Sequence, residues 1–479
     1  MRATLAQLMV CLTDAKQWKT DTMAEPALQG AVAVNGVCTD SRNVVPGSLF
    51  VALRGEHFDA HDFLADVAAA GAAAVVVEKL PPGWTLPAIA VPDTLAALGE
   101  IAAFWRCGFA IPVIGVTGSN GKTTVKEMLA SILAAAHGED GRLSTRGNLN
   151  NEIGVPLTVF RLGPQHKAAV VELGMNHAGE IARLTAIAQP TLALVNNAQR
   201  EHQEFMHTVE AVARENGAVF EGLPPDGIAV FPHDDEFSEL WTGLAGARRT
   251  ITFGLTKEAG VSCTWRANDF GSDLLITIRT DGDAPIQFHV GIEAAGEHNV
   301  RNALAATACA FGIGIPVEAI GRGLAAFAPV NGRLQRKRAM KDGTAGAVVI
   351  DDSYNANPDS VRAAIDVLAQ APSPRFLVLG DMGEVGDQGP EFHEEIGIYA
   401  AGKGIEHILT TGELARHVTA AGVIHFERFD DLLAALDAQL AALPDPALAT
   451  VLIKGSRFMK MERAVQHLIG SQHSNKEAH

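Results

Sequence analysis

Basic side chains are scarce in this chain: 38 lysines and arginines stand against 55 acids among 479 residues, a formal net charge of −17. That balance argues against a nucleic-acid-binding surface, and any anionic substrate must be held by local cationic clusters. Cysteine is sparse too. Cys11, Cys38, Cys107, Cys263 and Cys309 are scattered, odd in number and without C-x-x-C spacing, so neither a disulfide framework nor a zinc site is expected. They fit buried thiols in a reducing cytoplasm. No uncharged apolar run reaches the roughly 20 residues of a transmembrane helix. The N-terminus carries acids and Trp18 where a signal peptide needs an unbroken apolar stretch. Internal repeats, coiled coils and low-complexity tracts are absent except for a polar tail, Ser471 to His479, expected to be disordered. A soluble, cytoplasmic protein without a transmembrane segment is expected.

What is present begins with Val113-Ile114-Gly115-Val116-Thr117-Gly118-Ser119-Asn120-Gly121-Lys122-Thr123-Thr124, an apolar strand running into a glycine turn, a lysine and two hydroxyls. Glycines let successive backbone N–H groups converge on phosphate oxygens, and a following helix points its positive end at the same charge. Lys122 adds a mobile cation, worth roughly 4 kcal/mol per phosphate charge at about 4 Å and an effective dielectric near 20, before desolvation. Thr123 would put a hydroxyl on Mg²⁺. Val125, Met128, Leu129, Ile132 and Leu133 then recur at helical spacing, predicting an amphipathic helix directly behind the loop. The strict G-x-x-x-x-G-K-[ST] pattern fails by one residue, because Val116 stands five before Gly121.

The length suggests about three domains. A small α/β unit with apolar strands at 49–53 and 74–77 closes with a helix over 94–107, and Ile111-Pro112 then opens the phosphate-loop strand. The predicted division is 1–107, 108–328 and 329–479. The central part shows further strands at 168–173, 191–195 and 227–231 with helical patterns between, as in a largely parallel sheet, and candidates near 250 and over 275–290 for an antiparallel extension. A third alternation, with strands at 347–350, 376–379, 407–410 and 451–453, reads as a doubly wound, Rossmann-like domain. The expected fold class is therefore α/β with three domains.

Other chemistry-bearing residues fall at strand ends and turns. Glu172 closes a strand at the edge where α/β sheets bind ligands, which makes it a candidate Mg²⁺ ligand or a solvated strand-end acid. His202 follows the next strand in a polar segment. Residues 145–156, including Asn148 and Asn151, suit a loop approaching a polar substrate or a set of structural caps. Asn302, in Gly296-Glu297-His298-Asn299-Val300-Arg301-Asn302, could bond a base edge or cap structure. Gly332-Arg333 lies between the second and third alternations, where a hinge could carry a guanidinium to a phosphate. Asp351-Asp352-Ser353-Tyr354-Asn355-Ala356-Asn357-Pro358 offers acids for ribose hydroxyls or peptide amines, or a helix cap. Lys454-Gly455-Ser456-Arg457 is an anion-binding candidate.

Together these motifs resemble those of the Mur ligases, and the resemblance spans the whole chain. Thr39-Asp40-Ser41-Arg42, Gly47 to Leu53 and His61 are similar to the family's UDP-binding N-terminal domain, which implies a substrate role for Ser41 and Arg42. Gly118, Ser119, Asn120, Gly121, Lys122, Thr123 and Thr124 resemble its ATP loop. By the same resemblance Thr123, Glu172 and His202 would serve magnesium, Asn302 the adenine, Arg333 the γ-phosphate and Asp352 the ribose. Asn148, Asn151, Asn355, Asn357, Lys454 and Ser456 would contact substrate. Residues 351–358, Gly380-Asp381-Met382-Gly383-Glu384 and 454–457 look like the dipeptide-adding members, and the Asp-Asn-Pro-Arg run of the diaminopimelate-adding ones is missing.

The implied activity is ATP- and Mg²⁺-dependent ligation of D-alanyl-D-alanine to UDP-N-acetylmuramoyl-tripeptide for peptidoglycan synthesis, by a monomer. The rivals are another amide ligase of the superfamily, such as a folylpolyglutamate synthase, and a nucleotide-dependent regulatory protein without turnover. One position departs. Relatives carry a carbamylated lysine near a second magnesium in a segment ending Lys-Gly-Glu, whereas Ala213-Arg214-Glu215-Asn216-Gly217-Ala218 puts Asn216 there. Glu201, Glu204 or Glu215 would then complete the site, Glu204 ranking first because it lies two residues beyond His202.

Overall fold

The computed structural model describes residues 1–17, 30–280 and 282–470. Trp18 and the Ser471–His479 tail lie outside the described residues.

Three α/β layers follow one another along the chain. The first carries a five-stranded sheet in the order Lys16–Gln17, Ala88–Ala90, Ala74–Val77, Leu49–Val51, Val37–Cys38, parallel except for its first strand. Arg2–Thr4 pairs separately with Ala33–Asn35. The helix Thr94–Cys107 starts on Asp93, whose side chain accepts from the N–H groups of Leu95 and Ala96, the usual means of satisfying orphan donors at a helix start.

The second layer is a nine-stranded sheet centred on Val113–Thr117, which lies between Leu192–Val195 and Ala168–Glu172 with all three parallel. Every residue of Val113–Thr117 is buried. Ile114 and Val116 face one core with the helix Lys122–His137, while Val113 faces another on the opposite side. Helices cover both faces, so the strands read as continuous apolar runs instead of alternating ones. The predicted helix stripe is fully used: Val125, Met128, Leu129, Ile132 and Leu133 are all buried.

After Val113–Thr117 the chain builds Arg142–Ser144 and Ala168–Glu172 on one side, then crosses to Leu192–Val195 on the other. That reversal creates a crevice beyond the carboxyl ends of the strands, the usual ligand position in open α/β sheets. The strand near 250 departs from expectation. Arg249–Phe253 pairs in parallel with Ile228–Pro232, and the antiparallel extension comprises Val261–Asn268, Gly271–Ile278 and Ile286–Ile292. The reason is the connection: the helix Ser238–Ala245 intervenes and returns the chain in the same direction.

The third layer is six-stranded, in the order Gln335–Arg338, Val348–Asp352, Thr450–Lys454, Arg375–Leu379, His407–Thr411, Val423–Phe426, parallel apart from the first strand. Asp352 pairs in register with Lys454 at the strand ends. Those ends face the crevice of the second sheet across a cavity of about 1150 Å³. Among the described residues, no helix is long and apolar enough to cross a membrane.

Candidate active site

The phosphate loop is shaped by two glycines. Gly118 (φ +127°) and Gly121 (φ +81°) take backbone conformations that L side chains rarely adopt. A Cβ on Gly118 would press on the backbone N of Asn196 and Asn197, and one on Gly121 would strike the side chains of Asn196 and Asn302. The loop is therefore packed against the end of the neighbouring strand. Asn120 N donates to Asn197 Oδ1 (2.8 Å), Asn196 Nδ2 donates to Asn120 O (2.7 Å) and to Asn302 Oδ1 (2.9 Å), and Asn302 Nδ2 donates to Asn299 Oδ1 (3.2 Å). These linked buried amides brace the loop, and Asn196 Oδ1 alone among them is left without a partner.

Lys122 Nζ donates to Gly118 O (2.5 Å) and Ser119 O (3.0 Å) and lies 3.5 Å from Glu201 Oε2. Thr123 Oγ1 donates to Glu172 Oε1 (3.2 Å), and Asn150 Nδ2 donates to the same oxygen (2.9 Å). Glu172 and Glu201 are buried, and Oε2 of the first and Oε1 of the second have no hydrogen-bond partner. Burial pushes the Glu201 carboxyl above its usual range, with Lys122 and His202 pulling the other way. Two buried acids with unfilled oxygens beside a phosphate loop suit a hard cation. No three His, Cys, Asp or Glu side chains among the described residues form a ready-made metal cage. Mg²⁺ commonly takes one or two carboxylates and completes its shell with phosphate oxygens and water, so the donor set fits.

The third sheet supplies the facing wall. His202, itself at φ +50°, sets Nδ1 2.6 Å from Glu384 Oε2, and Glu384 is at φ +58°. The close approach of His202 holds the Glu384 carboxyl below its ordinary range, against the burial that would raise it. Two non-glycine residues in the costly left-handed region thus meet across the boundary between the second and third layers. Asn357 Nδ2 donates to Asn120 Oδ1 (3.0 Å), tying the N-cap of the helix Pro358–Ala369 to the phosphate loop. Arg333 lies over the Tyr354 ring at 4.4 Å. Asp352 accepts from Lys454 Nζ (2.6 Å) and Leu334 N (3.2 Å).

Three family models together match most of the chain: the Mur ligase family catalytic domain over 33–106, the Mur ligase middle domain over 116–310, and the Mur ligase glutamate ligase domain over 332–457. A UDP-N-acetylmuramoyl-tripeptide–D-alanyl-D-alanine ligase of Escherichia coli is 39% identical over 445 residues, which cover 92% of this chain and 95% of that one. The chain belongs to the Mur ligase family. A crystal structure of MurF from Acinetobacter baumannii superposes with a TM-score of 0.88 at 33% identity, covering 98% of this chain and 99% of that one. MurF ligase from Thermotoga maritima in complex with ADP superposes at 0.80 with 26% identity, covering 91% and 97%.

This Mur ligase gathers most of the residues singled out from sequence at one cavity. Ser119 to Thr124, Asn148, Asn151, Glu172, His202, Asn302, Arg333, Asp352, Asn355, Asn357, Lys454 and Ser456 all line it, with Gly118 at the turn just before. Ser41 and Arg42 do not; Arg42 is exposed and paired with Asp40 on the first layer. Several of these side chains are already engaged. The amide of Asn302 is committed to Asn196 and Asn299, Asn151 Oδ1 accepts from Ile153 N and Gly154 N, and Ser456 Oγ accepts from Gly383 N and donates to Ala356 O.

Asn216 does not face the cavity. Its Oδ1 accepts from Thr117 Oγ1 and from Gly118 N (2.9 Å), and its Nδ2 donates to Val212 O (3.1 Å). It anchors the phosphate loop from behind. Glu215 is likewise committed, accepting from Gly179 N and Ile181 N at the start of the helix Glu180–Ala188. Glu204 is exposed. Glu201 is therefore the acid placed beside Lys122 and His202, contrary to the sequence ranking, because its neighbour Arg200 turns to the third sheet and leaves Glu201 facing inward. Asn150, Asn196, Asn197 and Glu384 also line the cavity, and the sequence reading gave none of them a site role, although Asn150 sat within the amide-rich segment and Glu384 within the Gly380–Glu384 motif.

Proposed function

We propose that this Mur ligase joins D-alanyl-D-alanine to UDP-N-acetylmuramoyl-tripeptide with ATP, giving UDP-N-acetylmuramoyl-pentapeptide, ADP and phosphate. The observation carrying this reading is the cavity itself, where a phosphate loop at the switch point of one sheet faces the strand ends of another. In the proposed division, 1–107 holds the UDP end through Ser41 and Arg42, 108–328 holds ATP, and 329–479 binds the dipeptide and completes the nucleotide site.

The tripeptide's terminal carboxylate attacks the γ-phosphorus, ADP leaves, and an acyl phosphate forms. The dipeptide amine then attacks the acyl carbon and displaces phosphate. Lys122 exchanges its loop carbonyls for phosphate oxygens, and Arg333, held over Tyr354, meets charge developing on the γ-phosphoryl group. Thr123, Glu172, His202 and Glu201 would hold Mg²⁺, which supplies neutralisation of phosphate charge. The contacts of His202 with Glu384 and of Asn120 with Asn357 join the two walls, so water is kept from the acyl phosphate. Use of ATP with a UDP-linked acceptor, and five unpaired thiols, support a cytoplasmic enzyme. A monomeric state is part of the same proposal.

Phosphate release from ATP should need both the UDP-tripeptide and the dipeptide, and Lys122→Ala should lower turnover by about 10²- to 10³-fold. Vigorous hydrolysis with neither substrate would point to a motor-type ATPase. The regulatory reading rested on Asn216, and its place behind the loop removes that support.

A further inference from the structure

Five lysines and arginines line the cavity, and their partners sort them. Lys122 sits in the phosphate loop beside Glu201. Arg301 pairs with Asp234 (2.8 Å) and Glu297 (3.2 Å). Lys454 is buried, and its ammonium is spent on Asp352 (2.6 Å) and Asn355 O (2.9 Å). Arg333 is the cation assigned above to the γ-phosphate. Arg457 remains: its side chain is 61% exposed, and a single nitrogen, Nη1, is engaged, donating to Glu462 (2.8 Å). An exposed pair of this kind contributes little, and the guanidinium keeps other donors for a planar, bidentate carboxylate.

Arg333 and Arg457 both approach the Tyr354 ring, at 4.4 and 5.9 Å from its centroid, which bounds their guanidinium carbons to within about 10 Å of each other. A dipeptide spans at most about 7 Å from amine to carboxylate. With its amine at an acyl phosphate beside Arg333, the carboxylate of an incoming dipeptide falls within reach of Arg457. The carboxylate of a single amino acid stops about 3.5 Å short of that position.

We propose that Arg457 binds the terminal carboxylate of the incoming D-alanyl-D-alanine, and so selects an amino component whose carboxylate lies two residues from its amine. This rests on the dipeptide-adding reading. Lys454 and Ser456, the more conspicuous members of the same motif, act as its scaffold: Lys454 ties the strand end to Asp352, and Ser456 ties the turn to Gly383.

The test compares D-alanyl-D-alanine with D-alanyl-D-alaninamide, whose C-terminus is neutral, using the full-length enzyme, ATP and UDP-tripeptide. Wild type should prefer the free acid by about 10- to 100-fold in kcat/KM, the range expected of a charge-assisted hydrogen bond. Arg457→Ala should raise KM for the dipeptide by a similar factor, leave KM for ATP and UDP-tripeptide within about two-fold, and lose the preference for the acid. Arg457→Lys should recover part of it. Ligation by wild type with an undiminished preference in Arg457→Ala overturns the assignment alone, as does an equal rise in all three KM values. Failure of wild type to ligate D-alanyl-D-alanine overturns the dipeptide reading and this assignment together.

Discussion

Replacing Arg200 with alanine removes a two-carboxylate ionic tie between the second and third layers. Its guanidinium donates to Asp359 Oδ1 (2.6 Å) and Glu395 Oε2 (2.7 Å), on two different helices of the third layer, and lies 5.3 Å from the Phe392 ring. The two carboxylates hold the Arg200 charge firmly in place against the burial that opposes it. At an effective dielectric near 20, each pair has a gross attraction of about 4 kcal/mol. Side chains roughly a quarter exposed (23% for Arg200 and Asp359, 32% for Glu395) are screened and costly to order, which leaves about 1 kcal/mol per pair. With the aromatic contact, the loss is about 2 to 3 kcal/mol, or roughly 30- to 150-fold in the ratio of closed to open forms. Glu395 keeps Arg362 at 2.6 Å, so the variant does not strand it. Turnover in Arg200→Ala should fall by about 10- to 100-fold, the radius of gyration by X-ray scattering should rise, and thermal unfolding of the separate layers should hardly change. Turnover within two-fold of wild type with an unchanged radius would refute this account of closure.

Asn216→Ala leaves two buried donors, Thr117 Oγ1 and Gly118 N, without their acceptor. It should cost about 2 to 4 kcal/mol of stability and raise KM for ATP, measured by urea unfolding and steady-state kinetics. Activity should be indifferent to CO₂ removal, since an amide cannot be carbamylated; recovery on adding bicarbonate would show that another residue is modified. Glu201→Gln should weaken magnesium dependence by about 10-fold or more, whereas exposed Glu204→Gln should match wild type in a magnesium titration. His298 is pushed down to about 4 by burial and by nearby Lys454. The unfolded chain takes up that proton below about pH 6.5, so stability present above 6.5 declines as pH falls toward 4. Urea midpoints at pH 7 and 4.5 should differ less in His298→Gln than in wild type.

Much of the site was legible because its residues announce themselves locally. The loop from Gly118 to Thr124 lies between a buried strand and an apolar helix stripe, and Glu172, Asp352 and Lys454 close strands at the ligand-binding edge. The partners that rigidify the loop were not legible, because Asn196, Asn197 and Asn216 reach it from 76 to 99 positions away along the chain. Asn216 illustrates the limit. Its place at the relatives' lysine position put the second metal site in doubt, while the direction in which its helix presents it makes it a tie behind Gly118. The direction of Arg249–Phe253 depended on the connecting helix and not on its own residues.

The most direct test of acyl-phosphate ligation at this cavity uses UDP-tripeptide labelled with ¹⁸O in its terminal carboxylate. One labelled oxygen should appear in each phosphate released, with one amide bond formed per ATP consumed and neither event in Lys122→Ala. Unlabelled phosphate accompanying amide formation would contradict the mechanism proposed here.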